Sequence, residues 1–316
     1  MRSDGPDDVR LSAAFAPGHV TGIFAPSLEA RDPRGRGSVG AGLVLPLGVR
    51  ASARWTPGGA SRLTLASDLG TPLPISEEVG RRLLSGAEGH LEVFLVHELP
   101  VGRGLGMSAA GALATALVAA QALGRPRAHA VEVAHLADLY GGGGLGGVGA
   151  ILGGGLELRL RAGLPPRGIV RHRPFPFPVW VATLGAPLLS RPLLQSEGFR
   201  ERTLRAAGSG LEAVARAPTP ESFLSSSEEF TDALRLASPP IRRLIRGLRA
   251  TGARAAQAML GRTIFAVAPT PAVRRRLVRA LQQARLHALE LRVPLAGARP
   301  TRVRRSIPRP RRGKGL

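Results

Sequence analysis

From Gly104 to Gly124 the chain carries no charged residue, and this stretch grows out of a glycine-rich segment, Pro100 to Ala110, PVGRGLGMSAA. A charge-free run of this length has two fates, a buried helix or a membrane span. Its make-up decides between them. It is mostly Ala and Gly, with Ser108, Thr115 and Gln121 inside, and Ala contributes far less to membrane insertion than Leu or Ile. The reading is a buried Ala-rich helix over 108–123, broken at Arg125-Pro126, with a second helix from about 127 to 139.

The loop that opens this helix has its own chemistry. Glycines let backbone N–H groups approach an anion closely because no Cβ intervenes. The helix behind them offers its free N–H groups and the positive end of its dipole to phosphate. Ser108 stands at the helix start, where its hydroxyl can cap the helix, contact a phosphate oxygen or bind Mg²⁺. Gly104 and Gly106 are not followed by Lys-Ser/Thr, so this is not a Walker A loop, and it is not a Rossmann fingerprint either. On glycine spacing alone, a phosphate loop and a tight structural turn both stay open.

Composition narrows the chemistry further. The chain has 316 residues and no cysteine, which excludes disulfides, thiolate metal sites and a cysteine nucleophile. The seven histidines never form an HExxH pair. Net charge is +22, with Lys314 the one lysine among 44 basic residues. Such a charge invites a nucleic-acid reading. Its distribution argues against it, because the arginines are spread along the chain and the densest cluster is a tail, 301–316, interrupted by Pro308 and Pro310. That tail reads as solvated and disordered. RNA binding through it is the disfavoured alternative. Only 4% of residues are aromatic, too few for a base-stacking surface. Met1 to Asp8 is polar and acidic, so no secretory signal is expected, and the reading is a cytoplasmic protein.

The pattern along the chain is α+β. Residues 11–24 read as a strand entering a glycine turn. GSVGAG, 37–42, reads as another turn, and 43–55, 62–67 and 91–97 as strands. A glycine loop occupies 141–149. The proline-rich link at 175–178 marks a domain boundary. Beyond it lie a strand at 178–184, helices at 198–216, 220–236 and 239–250, a strand at 263–268, a helix at 271–284 and a strand at 289–293. This gives a first domain over 1–175, a second over 176–300 and the tail.

The segment PxxxGLGxSAA resembles the phosphate-binding motif of the GHMP kinases, a family of small-molecule kinases. Pro17 to Gly22, PGHVTG, resembles the family's first motif, and Gln257 to Gly261, QAMLG, lies where its third falls. Within the family the chain is similar to the archaeal pantoate kinases. AFAPGHVTGIF at 14–24, GSVGAG at 37–42, AHLAD at 134–138, GLGGV at 144–148, MLGRTIFAV at 259–267 and AGAR at 296–299 carry that likeness. Single motifs of this kind are weak, but six in order are strong.

The resemblance implies a first domain like the second domain of ribosomal protein S5, a ferredoxin-like second domain and a homodimer. It implies transfer of the γ-phosphate of ATP to the terminal hydroxyl of pantoate, with Mg²⁺. Pro100, Arg103, Gly104, Leu105, Gly106, Met107, Ser108, Ala109 and Ala110 fall where the family wraps ATP. Ser108 and Asp138 fall at the catalytic and Mg²⁺ positions. Ser38, His135 and Arg159 fall where the family contacts pantoate, and an arginine suits a carboxylate.

Two positions depart from the family pattern. Asp138 stands where the family has glutamate; it keeps the charge on a shorter stem. Gly147 stands where the family's GLGD loop carries the aspartate regarded as catalytic base. Three readings follow. Positioning and electrostatics do the work without a base, Asp138 takes over, or kinase activity is lost.

Overall fold

The computed structural model of the chain describes residues 9–188 and 190–303. The basic tail expected from residue 301 lies, from 304 onward, outside the described residues.

Two long strands, β1 (Arg10–Ser27) and β2 (Gly37–Pro57), pair antiparallel along their length. The glycine turn expected at 37–42 is therefore strand. Its glycines serve the sheet rather than a bend: a Cβ on Gly40 would stand 2.5 Å from the Ile23 carbonyl oxygen and 2.6 Å from Arg159 Nη2. The turn expected at the end of 11–24 is instead taken up by register shifts at Pro17/His19 and Thr21/Ile23, which bend the strand without ending it.

The far half of β2 pairs with β4 (Gly89–His97), and β4 runs parallel to the edge strand β3 (Arg62–Ser67). The near half of β2 pairs with β5 (Leu156–Arg161), and β5 pairs with β6 (Ile169–Arg173). This sheet carries three helices: α1 (Pro74–Leu84), α2 (Met107–Leu123) and α3 (Arg127–Gly141). Sequence reading missed α1, whose apolar face is Ile75, Val79, Leu83 and Leu84 around a central Gly80. α2 is buried on nearly every side. Small residues let it sit close to its neighbours, and Ser12 Oγ donates to the Val118 carbonyl at 2.8 Å. Burying Leu113 and Val118 completely stabilises the fold by about 1.5–3 kcal/mol each. Among the described residues no helix is long and apolar enough to cross a membrane. A single helical turn, α4 (Gly147–Ala150), lies inside the glycine loop.

After β7 (Pro178–Thr183) and the short α5 (Ser190–Gln195), the chain forms α6 (Glu197–Arg216), α7 (Pro220–Leu234) and α8 (Pro239–Ala250). It continues through β8 (Arg254–Ala258), β9 (Thr263–Val267), α9 (Pro271–Gln283) and β10 (Ala288–Arg292). The four strands form an antiparallel sheet in the order β10-β7-β9-β8. A short β11 (Arg299–Pro300) then returns to pair with β1 in the first sheet.

The two sheets share one core. Phe223 of α7 stacks on Phe265 of β9 at 6.0 Å, and Phe230 meets Phe24 of β1 edge-on at 6.0 Å. Met259 N–H donates to the Thr21 carbonyl at 2.9 Å. The β8–β9 turn is thereby fastened to β1 beside the phosphate loop.

Candidate active site

The loop before α2 is built from left-handed glycines: Gly102, Gly104 and Gly106 have φ of 73°, 80° and 66°. Side chains are excluded sterically as well. A Cβ on Gly104 would lie 2.8 Å from Gly261 Cα. The loop is held from both sides, by His19 N–H on the Leu105 carbonyl at 2.9 Å and Thr263 Oγ1 on the Arg103 carbonyl at 2.6 Å. Gly106 provides no side-chain cap to α2, so the first-turn N–H groups face the cavity unpartnered by a cap, as anion binding requires.

Ser108, in the first turn of α2, donates to Asp138 Oδ1 at 2.6 Å. Asp138 comes from the last turn of α3 and is buried. Burial pushes its carboxyl up to about 6, against the hydrogen bonds from Ser108 and the Gly144 backbone, which pull it down. Gly143 passes so close that any Cβ there would overlap both Asp138 Oδ1 and Ser108 Oγ. Among the described residues no group of three or more His, Asp or Glu side chains gathers as a metal cage. Mg²⁺ needs none. It takes one or two carboxylates and keeps water and phosphate oxygens for the rest. A hydroxyl and a carboxylate beside a phosphate loop are hard oxygen donors of the right kind, so Ser108 and Asp138 fit this ion.

Farther along the glycine loop, beside Gly146, Ser38 and Arg159 line the same cavity, both buried. Arg159 Nη1 donates to Glu157 Oε1, and the same oxygen meets His19 Nε2 at 2.8 Å. Glu157 is fully buried. Burial drives its carboxyl up, but the Arg159 charge and the His19 hydrogen bond outweigh this and hold it below the ordinary glutamate value. Burial pushes His19 down, only partly offset by Glu157. The cluster is therefore a neutral imidazole with a carboxylate–guanidinium pair. Arg159 Nε has no protein partner. A Cβ on Gly146 would sit 3.2 Å from that nitrogen and 3.0 Å from Ser38 Oγ, so both polar groups look onto one recess over Gly146.

Of the residues expected at the nucleotide, Gly104, Leu105, Gly106, Met107, Ser108 and Ala109 line the cavity. Pro100, Arg103 and Ala110 do not, and Arg103 Nη1 is directed to the Leu184 carbonyl at 3.4 Å. His135 is buried outside the cavity wall; it is hydrogen-bonded to the Arg36 backbone, its Nε2 has no partner, and burial pushes its pKa down. Gly147 lies on the wall. A Cβ there would be 2.6 Å from Ala109 Cβ and 3.9 Å from Asp138 Oδ2. An aspartate at 147 is thus sterically opposed, while the Asp138 carboxylate already stands beside that spot.

Sequence reading assigned no role to His19, Glu157, Phe24 or Leu260. One signal was available: Glu157 and Arg159 are two apart on β5, the spacing that puts side chains on one face of a strand.

The chain matches the family model for the GHMP kinases N terminal domain over residues 75–155 and that for the GHMP kinases C terminal domain over 211–287. It is 31% identical over 266 residues to a pantoate kinase of Thermococcus kodakarensis, covering 81% of this chain and 87% of that one. It is 29% identical over 258 residues to a pantoate kinase of Methanospirillum hungatei, covering 80% and 86%. A solved structure described as a phosphotransferase related to the CoA biosynthesis pathway superposes with a TM-score of 0.83 at 27% identity, covering 93% of this chain and 99% of that one.

Proposed function

The chain belongs to the GHMP kinase family, and from that premise we propose that it phosphorylates the terminal hydroxyl of pantoate with ATP, giving 4-phosphopantoate for coenzyme A synthesis. The observation that carries this reading is one cavity lined by two different polar pairs. Ser108 and Asp138 meet beside Gly143, and Ser38 and Arg159 meet beside Gly146 of the same glycine loop.

The loop N–H groups and the α2 N-terminus bind the ATP phosphates. Ser108 and Asp138 hold Mg²⁺, which when bound neutralises charge on the phosphates. Arg159 Nε and Ser38 Oγ grip the substrate carboxylate, which orients the far hydroxyl toward the phosphate loop. Glu157 holds the Arg159 guanidinium from behind. Phosphoryl transfer passes through a loose transition state, so positioning and electrostatics supply most of the rate. A base at position 147 is not required.

The test is incubation of the purified chain with ATP, MgCl₂ and (R)-pantoate, with the product read by phosphorus NMR and mass. Formation of 4-phosphopantoate is expected. ADP release no faster than without acceptor would overturn the reading. A homodimer and a cytoplasmic location follow from the same reading, and light scattering and cell fractionation check them.

A further inference from the structure

Among the described residues three non-glycine residues have left-handed backbones: Arg235, Leu260 and Arg285. Arg235 caps the end of α7, and Arg285 follows the cap of α9. Both are ordinary helix stops. Leu260, at φ 60°, stops no helix. It lies in the turn joining β8 to β9, where glycine would adopt the same backbone without strain.

The surrounding contacts hold this turn firmly. Met259 N–H is bonded to the Thr21 carbonyl at 2.9 Å, and Gln257 Nε2 to the Gly261 carbonyl at 2.8 Å. Gly261 is pressed onto the Arg103–Gly104 backbone, with no room for a side chain. The turn therefore bridges Thr21, on the floor shared with His19 and Phe24, to Gly104 of the phosphate loop. Leu260 sits at the middle of that bridge, half-buried, on the cavity wall with Phe24, Leu145 and Met259. Strain kept in place by its surroundings at a cavity wall points to use of the side chain.

In pantoate the carbon next to the reacting hydroxymethyl group is quaternary and carries two methyls. With the carboxylate on Arg159 and the hydroxyl toward the phosphate loop, the branched middle of the molecule is left to the apolar part of the same cavity's lining, which includes Leu260. We propose that Leu260 is a specificity determinant: its left-handed backbone presents the isobutyl side chain to the dimethyl carbon of the acceptor and selects branched over unbranched dihydroxy acids. This rests on the pantoate reading above.

The experiment compares kcat/KM for pantoate and for 2,4-dihydroxybutanoate, the same acid without its methyls. Wild type, Leu260→Gly and Leu260→Asn are measured, since both replacements accept the left-handed backbone. Wild type is expected to favour pantoate by roughly 10–100-fold, the range a few methyl contacts confer. Both variants should lose most of that preference through pantoate alone, with the unbranched acid and the KM for ATP changed less than about 3-fold. Their Tm should stay near that of wild type, because relief of the left-handed strain offsets the packing that Leu260 gives up against the core. An equal fall for both acids, or a preference that survives both substitutions, overturns the proposal. Wild type inert toward pantoate overturns the pantoate reading, and the assignment of Leu260 with it. Those results are separable, because only the last appears in the unmutated enzyme.

Discussion

Ser108 and Asp138, thirty residues apart in sequence, share a 2.6 Å hydrogen bond inside the cavity. The bond joins the first turn of α2 to the last turn of α3. It holds a carboxylate in a buried place that disfavours its charge, and that tension has consequences for both stability and rate.

Asp138→Asn should make the ligand-free protein more stable and the enzyme far slower. The Asp138 carboxyl is raised from 3.8 to about 6, so the folded state binds its proton more tightly than the unfolded state. The stabilising effect of that proton is full below pH 3.8 and is lost as pH rises through about 6. At pH 7.5 the asparagine variant, which has nothing to titrate, should gain up to about 3 kcal/mol. Urea melts should show the gain closing by pH 4. Turnover should fall at least about 100-fold. A variant less stable than wild type at pH 7.5 would contradict the account.

Gly147→Asp should lower activity rather than restore a base. The new Cβ would stand 2.6 Å from Ala109 Cβ, and its carboxylate would join Asp138 in the same recess. Overpacking of this kind costs about 1–3 kcal/mol. Adding Ala109→Gly should recover the stability. Steady-state kinetics on both variants decide the point: faster turnover in Gly147→Asp would mean the chain is a kinase lacking its base.

Glu157→Gln should destabilise the fold by about 3 kcal/mol at pH 7, because it strands the buried Arg159 cation. The Glu157 carboxyl is held below its ordinary 4.5. Its contribution is therefore present above pH 4.5 and lost as pH falls through the depressed value. Paired denaturant melts should show a constant gap from pH 7 down to about 5 and a shrinking one only below 4.5.

Gly143→Ala should abolish turnover while leaving the rest of the fold in place. Even one methyl overlaps Asp138 Oδ1 and Ser108 Oγ together, so the pair must part. A loss of more than about 100-fold in kcat is expected from such misplacement, with the circular dichroism spectrum unchanged. Retention of wild-type kcat would show that the Ser108–Asp138 bond is not needed.

What the amino-acid order determined by itself was local and strongly patterned. The composition of the charge-free Ala/Gly run favoured a buried helix over a membrane span, and α2 spans Met107–Leu123. The glycines of the phosphate loop and the proline-capped helices α7, α8 and α9 were legible for the same reason: backbone geometry is set by a few neighbours. The glycines at 37–42 misled, since glycine marks a bend and a close approach equally well, and only the cross-strand register of β1 and β2 separates them. Tertiary structure decided the rest. It brought Ser38, from near the start of the chain, beside Arg159 in the cavity that Ser108 and Asp138 also line. It buried Glu157 against His19, removed His135 and Arg103 from the cavity wall, and stood Ala109 against Gly147. These are relations between distant segments, and burial, charge compensation and exclusion arise only when those segments are packed together.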